Sequence, residues 1–266
     1  MKILYIAELV GKAGIYALKT ALSPLKEQKK ADFVIVCADG ATGGSGLGRN
    51  HAAYIRKLGA DLITTGDCCF YKKDLVENIE KIPYVLRPLN LGSGSPGIGC
   101  RVLGDKNGGP PLAVAVFLGQ SGFSRIHGSN PLTALPALVE KFRKETPFIL
   151  IDFHASASGE KRTLMAAAAG SCTAVIGSHG RVQTADEEIL RGTAVICDAG
   201  RTGSAESVGG ADIEKRIQEY RTGIPEWTVE AWEKCELQGV FIETDREGRA
   251  LSIERIKIPV PEKSGS

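Results

Sequence analysis

The chain has 266 residues, of which 43% are hydrophobic and 24% are charged, and its formal net charge at pH 7 is only +2. These proportions are ordinary for a globular protein, and the interspersed basic and acidic residues predict no polybasic surface for a nucleic-acid partner. No apolar stretch approaches the roughly 20 residues of a membrane-spanning helix, and the apolar run at the N-terminus is too short for a signal peptide.

The first third of the chain alternates between apolar runs suited to buried strands and segments with helical spacing. Strands are predicted at Lys2–Ala7, Phe33–Ala38 and Leu62–Gly66, with a short extended segment at Val85–Asn90. Helices are predicted at Gly14–Gln28, Asn50–Leu58 and Lys72–Lys81.

The middle of the chain begins with a predicted hairpin of Cys100–Gly104 and Leu112–Gly119, because Asn107 and two following glycines favour a tight turn. We interpret the polar segment Ser121–Asn130 as a loop and a candidate lid. A helix is predicted from Asn130 to Phe142. The later predicted elements are the strands Phe148–Phe153, Thr173–Gly177, Thr193–Cys197, Thr228–Thr244 and Leu251–Pro259 and the helices Glu160–Ala169 and Asp212–Arg221.

This order of elements predicts an α/β fold in which two mixed sheets pack together with helices outside them. That arrangement is a four-layer αββα sandwich. No internal repeat or linker divides the chain, so we expect one domain over residues 1–260 and a disordered tail at 261–266.

The seven cysteines are an odd number and include no CxxC pair. Cys68 and Cys69 are adjacent, which is poor geometry for an ordinary disulfide. Reduced thiols are the simplest interpretation, and they predict a cytoplasmic location. Soft-metal or redox chemistry at these two cysteines is an alternative interpretation with less support.

Five apolar runs are followed by residues of types that can bind metals: Glu8, Asp39, Asp67, His154 and His179. The open ends of parallel strands meet in α/β proteins, so we expect these side chains to converge. A mixed set of carboxylates and imidazoles favours Mn²⁺, Fe²⁺ or Zn²⁺, while Mg²⁺ is less suited to imidazole. Any one such residue is more often a helix cap or an ordinary hydrogen-bonded side chain, so the prediction depends on all five occurring together.

The loop from Asp39 to Gly48, DGATGGSGLG, is rich in glycine. Its backbone can therefore approach a ligand closely or turn sharply. We take Gly40 as a candidate substrate-binding residue. The alternative is a loop that is merely flexible.

Four motifs occur in an order that resembles a known family: YIAELVGKAG from Tyr5, RPLN from Arg87, DFHA from Asp152 and VQTAD from Val182. Together they resemble the calcineurin-like metallophosphoesterases, and most closely a bacterial branch of 2′,3′-cyclic-nucleotide phosphodiesterases that begins with the pattern FIGDIVGKPG. The resemblance extends from Met1 to about Pro259. It implies the αββα sandwich, a divalent metal cofactor and the hydrolysis of phosphate esters or nucleotide-like small molecules.

The chain departs from this family at several site positions. The family has aspartate at position 8, Glu-Asn at 39–40 and Asn-His at 67–68, where this chain has Glu8, Asp39-Gly40 and Asp67-Cys68. The family motif GTHTH is GSHGR here, so its first histidine is kept as His179 and its second is replaced by Arg181. The glutamate of the family motif DFHAE is replaced by Ser156.

These substitutions affect the two metal positions of the family unequally. By resemblance, one position uses residues that can all still ligate: Asp39, Asp67, His154 and His179. The other uses residues 8, 39 and 181, and an arginine cannot ligate a metal. We therefore expect one ion rather than two, with Arg181 paired to Glu8, replacing the charge of the second ion and binding substrate phosphate. The alternative is that both metal positions are lost.

Cys68 stands where the family has the histidine thought to protonate the leaving oxygen. A free cysteine has a pKa of about 8.5, which makes Cys68 a doubtful acid at neutral pH. We therefore predict weak hydrolysis of phosphodiesters or phosphomonoesters. The alternative is a catalytically inactive pseudoenzyme that is retained as a ligand- or protein-binding scaffold, and in either case we expect a homo-oligomer.

Overall fold

The computed structural model describes residues 1–105, 108–225 and 230–261. Within these ranges the helices are α1 (Gly11–Lys29), α2 (Arg49–Lys57), α3 (Lys73–Val76), α4 (Pro131–Arg143), α5 (Ser158–Ala168) and α6 (Ile213–Thr222). The strands of the first half are β1 (Lys2–Ile6), β2 (Glu8–Leu9), β3 (Phe33–Cys37), β4 (Leu62–Thr64), β5 (Val85–Leu86), β6 (Cys100–Leu103) and β7 (Leu112–Leu118). The later strands are β8 (Ile149–His154), β9 (Ala174–Ser178), β10 (Glu188–Leu190), β11 (Thr193–Ile196), β12 (Arg201–Ser204), β13 (Cys235–Thr244) and β14 (Ala250–Pro259).

The strands form two mixed sheets. The first has the order β2-β12-β13-β1-β3-β4-β5, with β14 paired to β13, and the second has the order β10-β11-β9-β8-β7-β6. β1, β3 and β4 run parallel in the first sheet, as do β7, β8, β9 and β11 in the second. Parallel strands are covered on both faces, which explains why their sequences are continuous apolar runs.

The two sheets pack face to face with helices outside them. Along β1, Ile3 and Tyr5 point into the core between the sheets, whereas Leu4 and Ile6 point into an outer core. α1 and α2 cover that outer face, and α4 and α5 cover the outer face of the second sheet. The predicted four-layer αββα sandwich is confirmed.

Several local predictions differ from the structure. Glu8 lies within the short strand β2 instead of following β1 directly, and α1 begins three residues early, at Gly11. The predicted helix at residues 72–81 is divided into α3 and a 3₁₀ turn at Ile79–Lys81. β10 and β12 were not predicted, because their sequences, EIL and RTGS, contain no apolar run that would indicate a buried strand.

Some predictions fall on parts of the chain outside the described residues. β6 and β7 pair antiparallel as expected, but the Asn107 turn between them lies outside the described ranges. The first two residues of the predicted strand Thr228–Thr244 also lie outside the described ranges, and β13 begins only at Cys235. Residues 262–266 of the predicted tail lie outside these ranges as well. Over the described ranges, no helix has the length and apolar character that crossing a bilayer requires.

Candidate metal centre

Four of the predicted ligands meet at one end of the sandwich, because the strands that carry them run parallel within each sheet. Asp39 follows β3 and Asp67 follows β4 in the first sheet. His154 is the last residue of β8 and His179 follows β9 in the second sheet. Each sheet therefore contributes two side chains to one cluster.

Asp67, His154 and His179 form the tightest part of this cluster. Asp67 Oδ1 lies 2.8 Å from His154 Nε2 and 3.3 Å from His179 Nδ1, and the two imidazole nitrogens are 3.2 Å apart. One ligand atom from each of the three side chains lies within 4.8 Å of the others. One carboxylate and two imidazoles suit Mn²⁺, Fe²⁺ or Zn²⁺. The residues present therefore fit a single divalent ion.

Asp39 adds a second carboxylate to the cluster. Its side chain is buried, and Asp39 Oδ2 lies 3.7 Å from His154 Nε2. The carboxylate accepts hydrogen bonds from the backbone N–H groups of Gly66 and Cys68, at 2.5 and 3.0 Å. Burial raises the pKa of Asp39 to about 6, against the lowering effect of His154. Because both hydrogen bonds come from the main chain, the turn after β4 sets the position of this ligand.

Charges within the cluster favour a protonated imidazole beside an ionised Asp67. Burial by itself lowers the pKa of His154, but its hydrogen bond to Asp67 and the charge of Asp39 raise that pKa to about 9. Burial also acts to raise the pKa of Asp67, yet the hydrogen bonds from His154 and His179 hold it well below its usual range. A metal ion that binds His154 Nε2 must therefore displace a proton.

The second metal position implied by the family resemblance holds a guanidinium group. Arg181 Nε and Nη2 donate to Glu8 Oε1, at 3.0 and 2.7 Å. Nη2 also donates to the carbonyl of Gly44 at 2.9 Å, and Nη1 donates to the carbonyl of Gly209 at 3.0 Å. Within the described part of the chain, these bonds occupy four of the five guanidinium N–H groups. One N–H on Nη1 is left for a ligand.

Glu8 needs Arg181 as the partner of its charge, because only 1% of the surface of Glu8 is exposed to solvent. Its Oε2 has no hydrogen-bond partner among the described residues. A Cβ atom at Gly40 would lie 2.7 Å from Arg181 Nη2 and 2.9 Å from Glu8 Oε1. A side chain at position 40 would therefore displace this ion pair from its present position. Substrate binding by Gly40 stays a prediction.

Cys68 lies next to the cluster, with its Sγ 3.7 Å from Asp67 Oδ2. Burial and the charges of Asp39 and Asp67 hold the pKa of the Cys68 thiol well above its usual range. The thiol therefore keeps its proton at neutral pH, and it is a weak acid toward a leaving group.

A buried hydrogen-bond network behind His154 was not predicted from the sequence. His154 Nδ1 lies 3.0 Å from Ser178 Oγ, which donates to Asp152 Oδ1 at 2.7 Å. Asp152 Oδ2 also accepts from the hydroxyl groups of Tyr5 and Thr64, at 2.7 and 2.5 Å. Because the Ser178 proton goes to Asp152, Ser178 Oγ accepts from an N–H on Nδ1, and Nε2 is left to face the metal position. The signal for this network in the sequence was Asp152, an acidic residue within the apolar run FILIDFHA from Phe148 to Ala155.

The candidate lid contributes an aromatic residue that sequence reasoning also missed. The ring of Phe123 lies 6.0 Å from the ring of His154 and 5.0 Å from that of His179, measured between centroids. The start of the loop is fastened to α5, because Glu160 accepts hydrogen bonds from the Gln120 N–H at 2.6 Å and the Ser121 hydroxyl at 2.9 Å. Phe123 therefore forms an apolar wall beside both imidazoles.

The sequence matches a family model and named relatives over nearly its whole length. The model of the YmdB-like protein family matches residues 4–256. A 2′,3′-cyclic-nucleotide 2′-phosphodiesterase of Bacillus subtilis is 36% identical over 260 residues, covering 97% of both chains. A putative phosphatase/phosphodiesterase of Mycoplasma pneumoniae is 31% identical, covering 97% of this chain and 93% of the relative.

Solved structures share the fold. A protein from Mycoplasma pneumoniae described as a novel phosphatase has a TM-score of 0.90 at 29% identity, over 97% of this chain and 93% of its own. A hypothetical protein from Thermus thermophilus has a TM-score of 0.89 at 28% identity, over 98% and 100% of the two chains. These matches confirm the resemblance that the sequence motifs indicated, and the chain belongs to the YmdB-like protein family.

Proposed function

We propose that this protein is a metal-dependent phosphodiesterase that works with one divalent ion, held by Asp39, Asp67, His154 and His179, and with Arg181 in place of a second ion. The observation that carries the proposal is the convergence of these ligands beside a guanidinium group bonded to a buried carboxylate. The names of the relatives support a phosphate-ester or nucleotide-like substrate.

Arg181 is suited to act on the substrate without moving. A bound divalent ion supplies Lewis acidity and lowers the pKa of a water molecule. Arg181 presents its remaining Nη1 hydrogen and a permanent positive charge to a phosphate oxygen. Its other four N–H groups are held by Glu8, Gly44 and Gly209, so the charge is already in place when negative charge develops on the phosphate.

The metal content of protein purified without chelator tests this proposal. We expect about one ion per chain, and hydrolysis of bis-p-nitrophenyl phosphate that stops with EDTA and returns with Mn²⁺. This substrate is chosen because p-nitrophenolate leaves without protonation, so a weak acid at Cys68 does not hide activity. Two ions per chain would contradict the role of Arg181. A folded protein with no ion and no turnover would favour the alternative of an inactive scaffold.

Replacing Cys68 with histidine is expected to raise activity. With a 2′,3′-cyclic nucleotide, whose leaving group is an alcohol, we expect kcat to rise by about 10²-fold, because an imidazole of ordinary pKa is a better proton donor than this thiol. With bis-p-nitrophenyl phosphate the change should be small. Cys68→Ala is the matched control and should hydrolyse both substrates at the wild-type rate. A large loss in Cys68→Ala would show that the thiol itself acts as the acid.

A further inference from the structure

The loop that follows β9 holds both a metal ligand and the arginine in an unusual backbone conformation. His179 has a φ of +91° and Arg181 a φ of +56°, and both residues carry a Cβ atom. Residues other than glycine seldom adopt positive φ, because the Cβ atom then approaches the backbone. Two such residues on either side of Gly180 need support from the surrounding structure.

Asp198, which follows β11, provides that support. Its Oδ2 accepts a hydrogen bond from the backbone N–H of Gly180 at 2.7 Å, and its Oδ1 accepts one from Gly200 at 2.9 Å. A Cβ atom at Gly180 would lie 2.7 Å from Asp198 Oδ2, so only glycine allows this contact. The carboxylate therefore holds the one residue that separates His179 from Arg181.

The carboxylate is neutralised by a buried lysine. Lys161 Nζ, from α5, lies 2.8 Å from Asp198 Oδ2, and both side chains are 4% exposed. Buried charges are costly unless they are paired and hydrogen-bonded, so a pair this deep holds its partners in one geometry. Lys161 makes no contact with the metal ligands, and its effect reaches the site through Asp198.

A second contact holds the same loop from the other side. Arg201 Nη1 donates to the carbonyl oxygen of Arg181 at 3.3 Å. The backbone of Asp198 is itself fixed, since its N–H donates to Thr184 Oγ1 at 2.9 Å and its carbonyl accepts from the Thr184 N–H at 3.1 Å. The loop is therefore held by Asp198 after β11 and by Arg201 of β12, and Asp198 also connects it to Lys161 on α5.

We propose that Asp198, charge-paired with Lys161, is a positioning residue that aims His179 at the metal and Arg181 at the second position together. The proposal rests on the proposed function for the roles of His179 and Arg181. It adds that the carboxylate of Asp198, outside the site, positions both His179 and Arg181. A single change at Asp198 should therefore weaken metal binding and disturb the Arg181–Glu8 pair at the same time.

The test compares Asp198→Ala with the double variant Lys161→Met/Asp198→Ala, because alanine removes both oxygens that accept hydrogen bonds from Gly180 and Gly200. The single variant leaves Lys161 charged and unpaired, so it mixes loss of stability with loss of positioning. The double variant removes both charges, and we expect its melting temperature to recover toward that of the wild type. We expect its affinity for Mn²⁺, measured by calorimetry, to remain about 10- to 100-fold weaker than wild type. Its crystal structure should show His179 and Arg181 with φ outside the positive region.

The neighbouring ion pair provides a matched control. Arg162, next to Lys161 on α5, bonds to Glu188 at 2.5 Å on the exposed surface. Arg162→Met/Glu188→Gln should keep wild-type affinity for Mn²⁺ and wild-type φ angles. Wild-type Mn²⁺ affinity and positive φ angles in the Lys161→Met/Asp198→Ala protein would overturn the proposal.

The two readouts separate this proposal from the proposed function. If the wild type binds no Mn²⁺, the proposed function fails, and the φ angles of the double variant alone decide whether Asp198 positions the loop. If the double variant does not fold, the same two measurements on Asp198→Ala decide, because metal affinity and φ angles are measured on the folded protein whatever its stability. In either variant, an affinity for Mn²⁺ equal to that of the wild type, together with positive φ angles at His179 and Arg181, counts against the proposal.

Discussion

Replacing His154 with alanine is expected to abolish stoichiometric metal binding and to lower kcat/KM for bis-p-nitrophenyl phosphate by about 10³-fold or more, equivalent to several kcal/mol. The imidazole is buried, and the network through Ser178 and Asp152 directs its Nε2 toward the metal position. Cys68 is the other potential ligand beside Asp39 and Asp67, but burial holds the pKa of its thiol well above the usual range, so it does not replace this nitrogen. Metal analysis and steady-state kinetics on the purified variant provide the measurement.

His127 offers the matched control for this experiment. It is a histidine in the segment after Phe123, and it lies outside the ligand cluster. His127→Ala should keep the metal content and the activity of the wild type. Full activity in His154→Ala would exclude the cluster as the catalytic centre, and the phosphodiesterase would then need another site.

Replacing Arg181 with alanine is expected to destabilise the protein by about 3–5 kcal/mol, because it leaves the buried Glu8 carboxylate without its partner. Urea unfolding followed by circular dichroism measures this loss. The double variant Glu8→Gln/Arg181→Ala should recover most of it, since it buries no charge at position 8. The exposed pair of Lys29 and Glu254 gives the contrast: Glu254→Ala should cost at most about 1 kcal/mol.

Equal stability of Arg181→Ala and the wild type would show that water or a bound cation compensates Glu8 without the arginine. Addition of Mn²⁺ distinguishes these two cases. A cation that replaces the guanidinium would raise the melting temperature of the variant more than that of the wild type.

The cluster of candidate metal ligands was predictable because each of its residues is recognised from its own segment of sequence. Asp39, Asp67, His154 and His179 each end or closely follow an apolar run, and parallel strands bring such positions to one edge of a sheet. The pairing of Arg181 with Glu8 was predicted from the family resemblance instead, since in the family the residues at positions 8 and 181 share one metal position.

The supporting residues were beyond sequence reasoning for a different reason. Tyr5 and Thr64 reach Asp152 from strands of the opposite sheet, and nothing in the spacing of these residues indicates that the two sheets place them together. Phe123 lies in a loop without a periodic pattern, whereas Asp198 directly follows the predicted strand Thr193–Cys197, and that strand-exit position was the signal available for it. The N–H groups of Arg181 could not be assigned to partners either, because Gly44 and Gly209 contribute backbone carbonyls that any residue would supply.

The pairing of β1 with β13 has a consequence for how the protein is made. Lys2 lies opposite Glu243 and Ile6 lies opposite Gly239. The first strand to be synthesised therefore pairs with one of the last, and its sheet is complete only after β13 has been made. Pairings this distant in sequence are slow to form, because a long loop must close before the contacts stabilise it. Tyr5 lies on β1 and donates to Asp152 in the network behind His154, so the geometry of the candidate metal centre depends on a strand whose pairing is completed late. A chain released early, before residue 235, would contain Asp39, Asp67, His154 and His179 and still lack β13, the antiparallel partner of β1.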